Sequence, residues 1–269
     1  MNYQASEQLL QSQFLGNIIE LSFSNQTLTQ SGVLSNVIKS LILMKELITL
    51  DISYQKIGDA GSNTIGQLIK LTKLYVCGNE ISSEGAKSIG QLKNLTYLSV
   101  RINHLGSEGA KSIGQLEKLR TLYIAHNQIG DEGIKSISQL KELTTLYTDY
   151  NQIGSGGAKS IGEMKQLTEL GISENNIEDE GAKSIGQLIY LRKLSASRCR
   201  IGDEGAESIS KLINLTKLSI NTNPIKDEGA LHIIKLPQLK KLDITRCSIK
   251  SEGKKVLTEM KLVFKTLYH

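Results

Sequence analysis

Cys77, His126 and Asp149 are the residues whose types could supply a nucleophile, its base and an orienting carboxylate. Such a set works only if thiol, imidazole and carboxylate come within hydrogen-bond reach of one another. The other histidines, His104, His232 and His269, stand in unrelated settings, with no paired spacing that would hold a metal. No glycine-rich phosphate loop precedes a helix, because the glycines recur at wide, regular intervals. No cofactor is expected. Whether the three residues meet depends on the elements that carry them.

Those elements follow from an internal repeat. Leucine recurs at Leu47, Leu71, Leu95, Leu119, Leu143, Leu167, Leu191, Leu215 and Leu239, each 24 residues after the last. From Leu71 the unit reads LTKLYVCGNEISSEGAKSIGQLKN, and a longer first unit starts near Ile18. Its first half alternates, with Leu74 and Val76 inward and Lys73, Tyr75 and Cys77 outward, which predicts a strand. Its second half places Ala86, Ile89 and Leu92 at helical spacing, with Ser83 as a helix cap. The equivalent expected caps are Asp59, Ser107, Asp131, Ser155, Asp179, Asp203, Asp227 and Ser251. A helix of about two turns is not stable alone, so the units must stack.

Parallel strands pair about 4.8 Å apart, whereas packed helices need about 8–10 Å. The stack is therefore an arc with the sheet on the concave face and the helices outside. Glycine at the second helical position, as in Gly85 and Gly109, predicts a close approach to the neighbouring turn. Asn79, Asn103, Asn127, Asn151, Asn175 and Asn223 follow the strands, where an amide can pair the buried polar groups of the bend. Cys199 and Cys247 take the same place and read as structural. They should lie about 10 Å apart, too far for a disulfide. On the same spacing Cys77 and His126 are about 10 Å apart, which argues against catalysis. Cys77 alone is expected to be exposed and reactive.

The pattern LxxLxLxxNxIGDEGAKSIGQL resembles the leucine-rich repeat family, specifically its ribonuclease-inhibitor-like class in the short-unit form of microbial and protist members. The resemblance covers residues 18–257, about ten repeats in a single domain, with an N-terminal cap over 1–17 and a C-terminal cap over 258–269. Ser6–Phe14 reads as a covering helix and Leu262–Leu267 as a last strand. The resemblance implies an α/β solenoid, a curved arc with a parallel sheet inside and short helices outside. It also implies a non-catalytic scaffold that binds another protein through the concave surface.

In that geometry the third, fifth, seventh and eighth positions of each unit face outward. They carry a tyrosine-rich zone of Tyr75, Tyr97, Tyr123, Tyr147 and Tyr150, with Arg101, His126 and Asp149 among them. Large, amphipathic side chains of low entropy are good binding anchors. Tyrosine also simply suits a strand surface. A secondary basic row follows, Lys193, Lys217 and Lys241 with Arg198 and Arg246, able to meet an acidic peptide or a phosphate. The helix-face lysines Lys87 and Lys111 are expected to pair with Glu84 and Glu108.

Two other readings stay open: a regulator that accelerates nucleotide hydrolysis by a small GTPase, which a turnover assay tests, and an assembly module that self-associates. The 269 residues carry a net charge of +5, with no Trp, three Phe and two Pro. That charge demands no nucleic acid, and the basic row lacks the interleaved aromatics of a single-strand binder. The most apolar run, Val37–Leu50, is too short to span a membrane. The first residues lack a basic start and a cleavage site, and three cysteines suit a reducing compartment. A cytoplasmic monomer is expected, with export lacking a cleavable signal as the alternative.

Overall fold

The computed structural model describes residues 18–23, 33–260 and 266–268. The strands are β1 (Glu20–Ser22), β2 (Thr49–Asp51), β3 (Lys73–Tyr75), β4 (Tyr97–Ser99), β5 (Thr121–Tyr123) and β6 (Thr145–Tyr147). They continue as β7 (Glu169–Gly171), β8 (Lys193–Ser195), β9 (Lys217–Ser219), β10 (Lys241–Asp243) and β11 (Thr266–Tyr268). Between successive strands lie α1 (Val33–Leu41), α2 (Gly58–Ile65), α3 (Ser83–Ile89), α4 (Gly106–Ile113) and α5 (Gly130–Ile137). The series ends with α6 (Ser155–Gly162), α7 (Glu178–Ile185), α8 (Asp203–Ile209), α9 (Asp227–Ile233) and α10 (Ser251–Met260).

All the strands join one parallel sheet in sequence order. Each pairs in strict register, so that Leu50, Leu74, Leu98, Leu122, Leu146, Leu170, Leu194, Leu218 and Leu242 form one row. The expected periodicities hold. Leu71, Leu74, Val76, Ala86, Ile89 and Leu92 are fully buried, and their equivalents merge into one core layer running the length of the sheet. Burying each leucine contributes roughly 1.5–3 kcal/mol, which a lone unit could not collect.

Asparagine pairs the bends as expected. The Asn127 side-chain nitrogen donates to the carbonyls of Val100, Ile124 and Ala125 at 2.9–3.1 Å, while the Asn151 oxygen accepts from the Asn127 N–H at 2.9 Å. Cys199 replaces one such amide, its Sγ donating to the Ile172 carbonyl at 3.2 Å, and Gln55, fully buried, fills the same position two units before Asn103. The three cysteines are unbridged.

Helix capping departs from expectation. Asp59 does not cap its own helix α2, which starts one residue earlier. Its carboxylate instead accepts from Ser82 N–H, Ser82 Oγ–H and Gly85 N–H, at 2.8, 2.6 and 2.9 Å, closing the start of α3 in the next unit. Asp131, Asp179, Asp203 and Asp227 likewise reach the following unit, through Gly154, Gly202, Lys226 and Lys250 N–H. Ser83 and Ser251 also fall inside their helices, and Ser82 is the residue whose side chain accepts from Glu84 N–H. The acid thus acts as a rivet between units. The glycine expectation has the same cause: a Cβ at Gly85 would lie 2.5 Å from the Asp59 Oδ1 and 2.7 Å from Ile81 Cγ2.

Of the expected end segments, Ser6–Phe14 and residues 262–265 lie outside the described residues, and Thr266–Tyr268 pairs parallel to β10. Among the helix-face charges, Lys87–Glu84 and Lys183–Glu180 form ion pairs, whereas Lys111 and Glu108 do not, the two side chains projecting into solvent that screens them.

Candidate functional site

Ring-to-ring contacts organise the open face of the sheet. Tyr75, Tyr97, Tyr123 and Tyr147 form one continuous ladder, with centroids 4.8, 5.7 and 4.9 Å apart. Three of them occupy the fifth position of their units, but Tyr97 occupies the third. The ladder stays continuous because Ser99, at the fifth position of β4, is small and buried, leaving room for the neighbouring rings. The rings are half-buried rather than freely exposed, because each covers part of the next. Burial, then the neighbouring hydroxyls of Tyr75 and Tyr123, pushes the Tyr97 phenol well above its ordinary range. Burial and the Glu169 carboxylate push Tyr147 up to about 12.

The ladder ends at Gly171. A Cβ there would lie 2.4 Å from Tyr147 Cδ1, so the Tyr147 ring lies over this backbone and fills the space a side chain would take. Its hydroxyl donates to Glu169 Oε2 at 3.4 Å, and Glu169 Oε1 takes the Lys193 ammonium. Glu169 therefore joins the aromatic zone to the basic row.

A second tier runs along the eighth positions. Tyr54, Gly78, Ile102, His126, Tyr150, Glu174, Arg198, Thr222 and Arg246 all have φ between 52° and 61°. Only one is glycine, so the turn holds left-handed backbone without the residue that favours it. Hydrogen bonds between units enforce it: His126 N–H donates to Asp149 O at 3.0 Å, and Tyr150 N–H to Ser173 O at 3.0 Å. His126 stacks on Tyr150 at 4.0 Å, and Tyr150 is 46 % exposed, so this pair is the accessible part of the aromatic zone. Tyr54 and Ile102, also exposed on this tier, extend it, and Ile102 was not among the expected contact residues. No glycine or asparagine signature marks the column, so its backbone cannot be read from residue type.

The three candidate catalytic residues do not converge. Cys77 Sγ lies 3.0 Å from Ser99 Oγ, His126 is stacked on Tyr150, and Asp149 accepts from Ser173 N–H at 2.9 Å. Among the described residues no side-chain hydrogen bond links any two of them, and no group of three His, Cys, Asp or Glu side chains could hold a metal. Burial raises the Asp149 carboxyl above its usual range, although the Ser173 N–H and Arg101 pull it down. Cys77 is not the one accessible thiol, since the Cys247 unit lies near the end of the array and leaves that thiol half-buried as well. Cys199 is buried, and its thiol is pushed up to about 12.

The basic row is not uniform. Lys193 pairs with Glu169 and Arg198 with Glu174 at 3.0 Å, while Lys217, Lys241 and Arg246 form no ion pair among the described residues. No described helix is long and apolar enough to cross a membrane.

Comparison with solved structures agrees with this architecture. An internalin (InlF) from Listeria monocytogenes aligns with a TM-score of 0.68 at 24 % identity, covering 86 % of this chain and 62 % of its own. An internalin C2 from the same organism aligns at 0.60 and 22 %, covering 86 % and 82 %. The plant peptide hormone receptor RGFR1, in complex with RGF2, aligns at 0.58 and 19 %, covering 93 % of this chain and 47 % of the receptor. These likenesses show the fold, and the chain spans under two thirds of the first of them. No curated protein sequence matches the chain. The family of the leucine-rich repeat region matches residues 73–264, well over half the sequence. Repeat, register and family match converge: the chain belongs to the leucine-rich repeat family.

Proposed function

We propose that this chain is a non-catalytic module that binds a partner protein through the open face of its sheet, centred on the tyrosine ladder. The observation that carries this reading is the ladder itself: four rings in contact across adjacent strands, the last pair stacked and the others tilted. Rings packed against one another have lost rotamer freedom before any partner arrives, so binding them costs little further order. Arg101, His126, Asp149 and Tyr150 flank the ladder and supply polar contacts at its margin. The RGFR1 structure, a receptor with its hormone bound, supports a protein ligand for a scaffold of this kind. Three unbridged thiols favour a reducing compartment, and the proposal places the protein in the cytoplasm as a monomer.

Affinity capture with the chain as bait identifies the partner, which is then purified and titrated. The triple variant Tyr97→Ala/Tyr123→Ala/Tyr147→Ala is expected to weaken that binding by about thirtyfold or more, with the fold intact by circular dichroism. Unchanged affinity overturns the proposal.

A further inference from the structure

Beyond Gly171 the character of the sheet face changes. Leu74, Leu98, Leu122 and Leu146, beneath the ladder, have no exposure, whereas Leu194 and Leu218 retain 3 % and 2 %. The fifth positions here are Gly171, Ser195 and Ser219, too short to fill the space above the sheet that the rings fill along the ladder. The result is a shallow depression of about 240 Å³, walled at one end by Tyr147 and along one side by Lys193, Lys217 and Lys241.

Those three lysines are direct register partners on adjacent strands. Like charges set opposite one another destabilise a sheet. Lys193 is compensated by Glu169. Lys217 and Lys241 are not, and Asp243, the carboxylate that lines the depression with them, is engaged elsewhere. Its Oδ2 accepts from Asn221 Nδ2 at 2.6 Å and its Oδ1 from Thr245 Oγ1 at 2.8 Å. Protection of a sheet edge does not account for the two lysines, since β9 and β10 are both paired on each side. Two adjacent, uncompensated ammonium groups beside a depression walled by the Tyr147 ring fit a ligand that brings carboxylates and an apolar group together.

We infer that this depression takes an extended, acidic peptide segment of the partner, resting on the proposed binding role of the sheet face. An apolar side chain lies in the depression against the Tyr147 ring, and the carboxylates that follow it lie between Lys217 and Lys241. Alternate residues of an extended segment share one face at about 6.6–6.8 Å spacing. Flexible lysine stems on strands about 4.8 Å apart accommodate that spacing.

The probe is a fluorescein-labelled peptide, Gly-Ser-Leu-Ser-Glu-Ser-Glu-Gly, titrated against the full chain by anisotropy at low salt. Saturable binding is expected, weakened about tenfold or more when both glutamates become glutamine, and equally by Lys217→Glu/Lys241→Glu, since reversal turns attraction into repulsion. Lys135→Gln, which removes a lysine from the outer face of α5, is expected to change peptide affinity less than about twofold. No binding by the wild type, or equal binding of the glutamine peptide, overturns the inference while leaving partner binding by the ladder to its own test. If circular dichroism shows the double lysine variant misfolded, Lys217→Gln/Lys241→Gln replaces it, and undiminished affinity there also overturns the inference.

Discussion

At the residue scale the buried amides carry the most weight. Asn127 makes three donor contacts into its own and the preceding unit and accepts from the buried Leu105 N–H at 3.4 Å, so an alanine removes one donor from each carbonyl and leaves that N–H without its acceptor. Asn127→Ala is expected to destabilise by about 3 kcal/mol, since unsatisfied buried polar groups cost about 1–3 kcal/mol each. Asn127→Cys should cost less, because Cys199 shows that a thiol still donates to the preceding unit's carbonyl. Urea unfolding of the two variants checks the order, and an alanine as mild as the cysteine would contradict it. The sequence displayed this position plainly, as the same residue type recurs there. It did not display the ladder's continuity, which depends on Ser99 being small where its neighbours are large, nor the stacking of His126 on Tyr150. Side-chain direction across three strands is a property of packing, and spacing within one strand does not encode it.

At the scale of the element, the helix caps show how a local rule is overridden by the neighbour. An acid at a helix start reads as a cap for that helix, yet Asp59 accepts from Ser82 and Gly85 one unit later. Burial by itself would raise the Asp59 carboxyl. The Ser82 side chain, the Ser82 N–H and the Gly85 N–H outweigh it and hold the group below its ordinary value of 3.8. A lowered folded value means that the stabilisation is present above about 3.8 and is lost as pH falls through the folded pKa. Asp59→Ala is expected to cost about 1 kcal/mol at neutral pH. That difference from the wild type should shrink on acidification, in paired melts at neutral and acid pH. A gap independent of pH would mean that the carboxylate's charge plays no part. Strand and helix placement was legible from periodicity, because one face of each element must meet the core. Partners between units were not, because they lie 23 to 26 residues apart in the chain.

At the scale of the whole molecule, each unit touches only its neighbours along the sheet order. Stability in such an array approximates a sum over units and interfaces. Deleting residues 97–120 joins Thr96 to Thr121 and recreates the LTTLY sequence already present at Leu143–Tyr147. The shortened chain is expected to fold with one strand fewer and to melt cooperatively at a somewhat lower temperature, by circular dichroism and calorimetry. A molten or aggregated product would show that stability depends on longer-range coupling. The fold class was readable at this scale because the repeat imposes one answer many times.

The left-handed turn column has one more consequence. Its backbone is set by hydrogen bonds to the next unit, as from His126 N–H to Asp149 O, and residues as different as Tyr54, Ile102, Glu174 and Arg246 share it. Conformation and side-chain identity are therefore decoupled at these positions. Randomising them should diversify the rim without redesigning the solenoid beneath, giving a set of evenly pitched attachment points for a combinatorial library.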